Sequence, residues 1–278
     1  MCRLFGFRTS VVSRAHRSLV AADNALAEQA RAHPHGWGIG YFQGADAYLV
    51  KSDGPAADCS SFRRAADRLA SDALIAHVRR ATVGQVDTFN THPFRNGRWI
   101  FAHNGTIAGF AAIEPWLQAD TPAPLWQRRL GTTDSEAFFL NLLGHLEAAG
   151  VDPEGNGAAS GAAVAAVVRG RMAALRARAT AAGEAAPIVN FLLSNGRTFF
   201  AHRAGRELWF ATQKYHCRDA LTCAEVHKPC LEAVRPVGRV NHLLVASERI
   251  GDEDHWEEVA DDTLVELDAT FHLHHHRT

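Results

Sequence analysis

Segments with the signature of strands come in groups in this chain, and segments with the signature of helices come in pairs, instead of alternating one for one. A doubly wound parallel sheet needs a helix after nearly every strand, so this ordering points instead to an α+β layered fold. Strands are expected over residues 2–7, 36–42, 47–50, 73–78, 98–102, 188–193, 198–202, 207–211, 241–246 and 264–267, each a short apolar or alternating run bounded by turn residues. Helical spacing predicts helices over 19–30, 60–70 and 162–182. Thr133-Asp134-Ser135-Glu136 reads as a capping box, with Thr133 as N-cap and Glu136 reaching back, opening a helix that runs to about residue 148. The stretch 79–97 reads as a polar loop and 151–160, rich in Gly, Pro and Asn, as another.

Length and composition narrow the function. With 278 residues, 47% of them hydrophobic, the chain can bury a substantial core. No internal repeat or linker divides it, so one domain over residues 1–278 is expected, with the informative motifs in 2–136 and further strands and helices to about 270. The tail 271–278 carries His272, His274, His275 and His276 and is expected to be a frayed or tag-like end more than a metal site. Twenty-nine basic against thirty acidic residues, with no Lys/Arg block, leave no electrostatic footprint for nucleic acid or an anionic membrane. A small molecule or another protein is the expected partner.

Five cysteines without a C-x-x-C pair argue against a disulfide framework and a zinc ribbon. Cys217, Cys223 and Cys230, near His216 and His227, have no recognised metal spacing and read as ordinary thiols. The N-terminus lacks the apolar core of a signal peptide, and no stretch approaches ~18 consecutive apolar residues, so a cytoplasmic, soluble protein is expected. There is no G-x-G-x-x-G, Walker loop, H-E-x-x-H or G-x-S-x-G motif, so no cofactor or metal is predicted.

What remains is a thiol at position 2. If the initiator methionine is removed, as a small second residue permits, Cys2 carries nucleophile and base on one residue: its α-amine titrates near ~7.7 to 8.0 and its thiol near ~8.5. Position alone fits equally a small buried hydrophobe.

Cys2 at the head of an apolar strand is followed, in order, by Gly36-Trp37-Gly38, His77-Val78-Arg79-Arg80-Ala81-Thr82, Asn90-Thr91-His92-Pro93, His103-Asn104-Gly105 and Thr133-Asp134-Ser135-Glu136. This ordered set resembles the class II glutamine amidotransferases, which are N-terminal-nucleophile hydrolases, and Val245-Ala246-Ser247-Glu248 with Trp256-Glu257-Glu258-Val259 extends the likeness towards the C-terminus. The resemblance implies a four-layer αββα sandwich of two mostly antiparallel sheets. It implies Cys2 as nucleophile, with Asn104 and Gly105 as oxyanion donors. It further implies Arg79 with Thr82 for the α-carboxylate of a γ-glutamyl group, Asp134 for its α-ammonium, and contacts from Gly36, Trp37 and His92 around the pocket. No synthase domain follows, which leaves three readings: a hydrolase of γ-glutamyl amides, a glutaminase subunit delivering ammonia to a separate synthase partner, and a non-catalytic γ-glutamyl-binding module.

Overall fold

A computed structural model describes residues 2–215 and 238–278 of the chain. The strands are β1 (Arg3–Arg14), β2 (Trp37–Gln43), β3 (Asp46–Ser52), β4 (Ala70–Val78), β5 (Phe94–Asn96), β6 (Trp99–Thr106), β7 (Ile188–Ser194), β8 (Phe199–Arg203), β9 (Trp209–Ala211), β10 (Gly238–Arg239), β11 (His242–Ala246), β12 (Glu257–Glu258), β13 (Thr263–Leu267) and β14 (His272–Arg277). The α-helices are α1 (Leu26–Gln29), α2 (Ser60–Arg68), α3 (Phe110–Ala119), α4 (Ala123–Trp126), α5 (Asp134–Ala148) and α6 (Gly161–Ala181). Cys217, Cys223, Cys230, His216 and His227 lie outside the described residues.

Two seven-stranded antiparallel sheets face each other. The first runs β12-β9-β11-β1-β4-β2-β3 and the second β10-β14-β13-β8-β7-β6-β5. Leu4, Ile75, Ile100, Leu192, Phe199, Leu243, Val245 and Val265 fill the space between them. On the outer face of the first sheet, Phe5, Phe7, Trp37 and Val78 pack against Leu26 of α1 and Phe62 of α2. On the outer face of the second, Phe101 and Phe191 pack against Phe138, Phe139 and Leu142 of α5 and Val168 and Met172 of α6. The layering is therefore α, β, β, α, the α+β sandwich expected. Among the described residues no helix is long and apolar enough to cross a membrane.

Three local expectations are corrected. The helix expected over 19–30 is broken into a π-helical turn (Arg17–Ala21), the single turn of α1 and a 3₁₀ turn (Ala30–Ala32). The cause lies at Asp23-Asn24: Asn24 adopts the left-handed region at φ 55°, a conformation its short polar side chain tolerates and a continuing helix does not. The tail is no frayed end, because β14 pairs with β13 over five residues and with β10 over two, burying Leu273 in the inter-sheet core. His272, His274 and His276 alternate with Leu273 and His275, the His275 ring meeting Phe210 at 5.4 Å, and His274 and His276 pair with Asp268 and Glu266 at 3.1 and 2.7 Å. The polar loop over 79–97 contains the short strand β5, which pairs with β6.

Candidate active site

Side-chain alternation decides which residues reach the end of the gap between the sheets. Leu4 in β1, Ala73 and Ile75 in β4, Ile100 and Ala102 in β6, and Leu243 and Val245 in β11 all face the gap. Counting on by twos, Cys2, His77 with Arg79, Asn104 and Ser247 face it as well. Cys2 and Arg79 come from the first sheet and Asn104 from the second, so the site is built across two layers.

The thiol sits at this end. The Arg80 N–H donates to Cys2 Sγ at 3.3 Å, and Sγ lies 3.5 Å from the Arg80 carbonyl oxygen. Burial raises the thiol pKa; the Arg80 N–H and the Arg79 cation act the other way, and the Asp134 carboxylate adds to the rise. A thiol held in its protonated form needs a base before it can attack.

Ser247 joins β1, the strand that Cys2 leads, to Asn104. Its Oγ accepts from the Leu4 N–H at 2.9 Å and from Asn104 Nδ2 at 3.2 Å, and its own N–H donates to the Leu4 carbonyl at 3.0 Å. Asn104 is 4% exposed. Its amide nitrogen carries two hydrogens, so the bond to Ser247 fixes the plane of the group and leaves a second N–H to donate. At Gly105 a Cβ would overlap the Ile188 carbonyl oxygen and come within 2.5 Å of His103 Nε2, so only glycine lets β6 and β7 pair there.

Asp134 opens α5. Thr133 caps the helix as expected, its hydroxyl accepting from the Glu136 N–H at 3.2 Å. Glu136 does not close the box on Thr133; its carboxylate accepts from the N–H groups of Leu130 and Gly131 at 3.1 and 2.6 Å, pinning the preceding loop. The Asp134 carboxylate is 5% exposed and accepts from the Ile107 N–H at 2.8 Å and the Ser135 N–H at 2.8 Å. Ser135 Oγ meets both Asp134 Oδ1, at 3.2 Å, and His103 Nδ1, at 2.8 Å, and so ties this carboxylate to the strand that carries Asn104.

Arg79 is 2% exposed, and its guanidinium donates to the carbonyls of Gln85 at 2.8 Å and Val83 at 2.9 Å. It thereby holds the loop in which Thr82 lies exposed. Asn90 links that loop to the one before α5, its Oδ1 accepting from the Thr132 N–H at 2.7 Å and its Nδ2 donating to the Gln85 carbonyl at 3.3 Å.

The structure separates the remaining expected residues. Gly36 and Gly38 lie under the segment Asn90-Thr91-His92-Pro93: a Cβ at Gly36, where φ is +125°, would stand 2.8 Å from Thr91 Oγ1, and one at Gly38 would overlap the His92 carbonyl oxygen. The Gly36 carbonyl accepts from the Arg79 N–H at 2.7 Å. Trp37 has the opposite parity, and its ring meets Phe62 edge-on at 5.1 Å in the outer core, so only its backbone is available to the cleft. His92 is buried beneath the cleft, its ring 4.3 Å from that of His77, 4.6 Å from Phe94 and 6.5 Å from His103. Burial lowers all three histidine pKa values, that of His77 to about 3 with the Arg79 charge adding to the effect. These rings are neutral and weak bases near pH 7.

Sequence reasoning missed Ser247 as a site residue, although Ser247 stands inside the Val245–Glu248 motif that carried part of the resemblance. Its role depends on contacts 143 and 243 residues away in sequence, which no local pattern encodes. Among the described residues no group of three or more metal-ligating side chains is placed to hold an ion.

Comparison with known proteins bears on the family and the fold. An uncharacterized protein of Methanocaldococcus jannaschii is 30% identical over 156 residues, 53% of this chain and 39% of that protein. The putative glutamine amidotransferase YafJ of Escherichia coli is 34% identical over 116 residues, 40% of this chain and 42% of YafJ. A gamma-glutamyl-hercynylcysteine sulfoxide hydrolase of Mycobacterium tuberculosis is 41% identical over 73 residues, 26% of this chain and 31% of the hydrolase. The chain thus matches less than half the length of each of these relatives. The fold is shared with a glutamine aminotransferase class-II domain protein of Silicibacter pomeroyi, at TM-score 0.64 and 19% identity with both chains fully covered. It is shared also with the glutamine phosphoribosylpyrophosphate amidotransferase of Bacillus subtilis, at TM-score 0.57 and 15% identity, covering 99% of this chain and 49% of that one. The two-sheet sandwich is that of the N-terminal-nucleophile hydrolases. The profile described as "Glutamine amidotransferases class-II" matches residues 1–272, and the chain belongs to that family.

Proposed function

We propose that the protein is an amidohydrolase that cleaves the amide bond of γ-glutamyl compounds through a thioester on Cys2. The observation that carries this reading is the convergence, at one end of the inter-sheet gap, of the Cys2 thiol, the Ser247-oriented Asn104 and the buried Arg79 and Asp134, both of whose charges are felt at the sulfur. The name of the Mycobacterium tuberculosis relative, a hydrolase of a γ-glutamyl compound, supports hydrolysis over the supply of ammonia to a synthase.

In this reading the initiator methionine is removed, and the α-amine of Cys2 takes the thiol proton as sulfur attacks the δ-carbonyl carbon. An amine titrating near ~7.7 to 8.0 suits the task, whereas the buried histidines are too weakly basic. The S–C bond forms, and the oxyanion is held by the free Asn104 N–H and the Gly105 N–H. Collapse breaks the C–N bond, the departing amine taking the proton from the Cys2 ammonium. Water then adds to the thioester, releasing glutamate and restoring the thiol. Arg79 offers N–H groups beyond the two that hold its loop, for the substrate α-carboxylate, with Thr82 nearby. Asp134 Oδ2, which accepts only from the Ile107 N–H, retains a lone pair for the α-ammonium.

The test is glutamate release from glutamine and from γ-glutamyl amides, with intact-mass analysis of the purified enzyme. Active protein lacking Met1, and no glutamate from a folded Cys2→Ala variant, is the expected result. Activity in Cys2→Ala, or an active preparation that quantitatively retains Met1, overturns the mechanism.

A further inference from the structure

The connection between β8 and β9 carries the chain from one sheet to the other, and it crosses at the thiol end of the gap. On one side the Val189 N–H donates to the Ala204 carbonyl at 3.0 Å, Val189 being the cross-strand partner of Gly105. On the other side Trp209 pairs with Ala246, the neighbour of Ser247. Residues 204–208 therefore form an end wall of the cleft. This wall is rigidly held: Asn190, the cross-strand partner of Asn104, accepts from the Ala204 N–H at 2.9 Å and donates to the Arg206 carbonyl at 3.0 Å, while the Gly205 N–H donates to Asp261 at 2.9 Å.

Arg206 projects from this wall. Arg80 meets the sulfur through its backbone and its side chain is exposed; of the three other arginines close to Cys2 two are committed, Arg79 to the carbonyls of Val83 and Gln85, and Arg3 to the Glu248 carboxylate and, at 3.2 Å, to the Cys2 carbonyl. The Arg206 guanidinium makes no hydrogen bond or ion pair among the described residues, and its Nε is buried without an acceptor. The ionised form of Cys2 nevertheless favours its charge, and that charge is felt in turn at His103. A half-buried, unpaired cation is unfavourable in the free protein and becomes favourable when a ligand brings an anion to it.

We infer that Arg206 binds a carboxylate on the leaving-amine half of the substrate. The preferred substrates are then γ-glutamyl amides of amino acids or peptides, and glutamine and γ-glutamyl alkylamides are poor ones. Arg79 and Asp134 hold the two charged groups of the glutamyl half, so a cation on the wall carried by the crossover addresses the part of the substrate beyond the scissile bond. This inference rests on the γ-glutamyl hydrolase reading.

The experiment compares γ-glutamylglycine with γ-glutamylmethylamide, which differ by the carboxylate alone, in wild type, Arg206→Gln and Arg206→Lys. Wild type is expected to favour γ-glutamylglycine in kcat/KM, and Arg206→Gln to lose roughly 10- to 100-fold on it, the range for a hydrogen bond to a charged group. The same variant should stay within threefold of wild type on the methylamide, which also shows that it folds, and Arg206→Lys should recover part of the loss. Equal losses on both compounds place Arg206 at the glutamyl half, and no loss on either removes it from recognition; both overturn the inference while leaving the hydrolase reading intact. If wild type releases no glutamate from either compound, both fall.

Discussion

Replacing Ser247 by alanine separates folding from catalysis at one atom. The hydroxyl accepts two hydrogen bonds, from the Leu4 N–H and from Asn104 Nδ2, and its residue is 7% exposed, so water does not freely substitute for it. The two orphaned donors behave differently. The Leu4 N–H is fixed in β1 and stays unsatisfied, which destabilises the fold by about 1 to 3 kcal/mol. For a chain of this size about 2 kcal/mol lowers Tm by roughly 3 to 4 °C. Asn104 can rotate its amide to find another partner, and in doing so withdraws the second N–H from the oxyanion. Complete loss of an oxyanion donor lowers kcat by about 10²- to 10³-fold, so a donor that is present but misaligned should lower it by roughly 10- to 100-fold. KM should change little, because the groups proposed to hold the glutamyl half are Arg79, Thr82 and Asp134.

The assay is steady-state glutamate release with a thermal melt on the same preparations, run as a double-mutant cycle. In an Asn104→Ala background Ser247→Ala should still lower Tm but have almost no further effect on kcat, since the group it orients is gone. A Ser247→Ala enzyme with a lowered Tm and a kcat within twofold of wild type would refute the reasoning, because Asn104 would then hold its orientation without the hydroxyl.

Two further outcomes follow from the same geometry. Gly105→Ala places a methyl against the Ile188 carbonyl and His103 Nε2, forcing β6 from β7 at the oxyanion position; kcat should fall at least 10²-fold, and near-normal turnover would remove Gly105 from the oxyanion site. Burial pushes His77 down to about 3, His202 to about 4 and His242 to about 3, against ~6.5 in the unfolded chain, so below pH 6.5 the unfolded state takes up protons that the native state refuses and stability falls with falling pH. Each such group contributes up to about 1.4 kcal/mol per pH unit, or about 2 kcal/mol for His77 between pH 6.5 and 5; urea denaturation of His77→Phe should lose less stability over that interval than wild type, and an equal loss would exclude His77 as a source.

What was legible in the sequence is what local chemistry encodes. The hydroxyl of Thr133 and the apolar spacing after it fix α5 at Asp134–Ala148, and Ser160, accepting from the Ala163 N–H, fixes the start of α6 within a residue of expectation. Alternation also held a signal that was not used: in Gly36-Trp37-Gly38 the tryptophan must face away from both glycines, and with the glycines turned to the cleft its side chain belongs to the core. Helices α3 and α4 are not among the expected elements; they carry Pro115, Pro122 and Pro124, residues that disfavour a helix interior, although the first is accommodated inside α3. Ser247, Asn190 and Arg206 were illegible for another reason, since each acquires its role from a pairing between distant strands.

The division of the site between two sheets has a physical consequence. Cys2 and Ser247 are fixed in the first sheet and Asn104 and Gly105 in the second, so the distance from sulfur to oxyanion donors is set by how closely the sheets pack. That spacing is held at a minimum along the gap: a Cβ at Gly6 would stand 2.9 Å from Leu192 Cδ1 and Phe199 Cζ, and one at Gly40 would stand 2.6 Å from Ile100 Cγ2. These glycines lie two and more residues inside the gap, and in the proposed mechanism they decide whether Cys2 and the proposed oxyanion donors reach one reacting carbon. Close-packed interiors do not stretch gradually. A core substitution that parts the sheets should therefore act on turnover through the Ser247 to Asn104 bond, the direct hydrogen bond that spans the two layers beside the thiol.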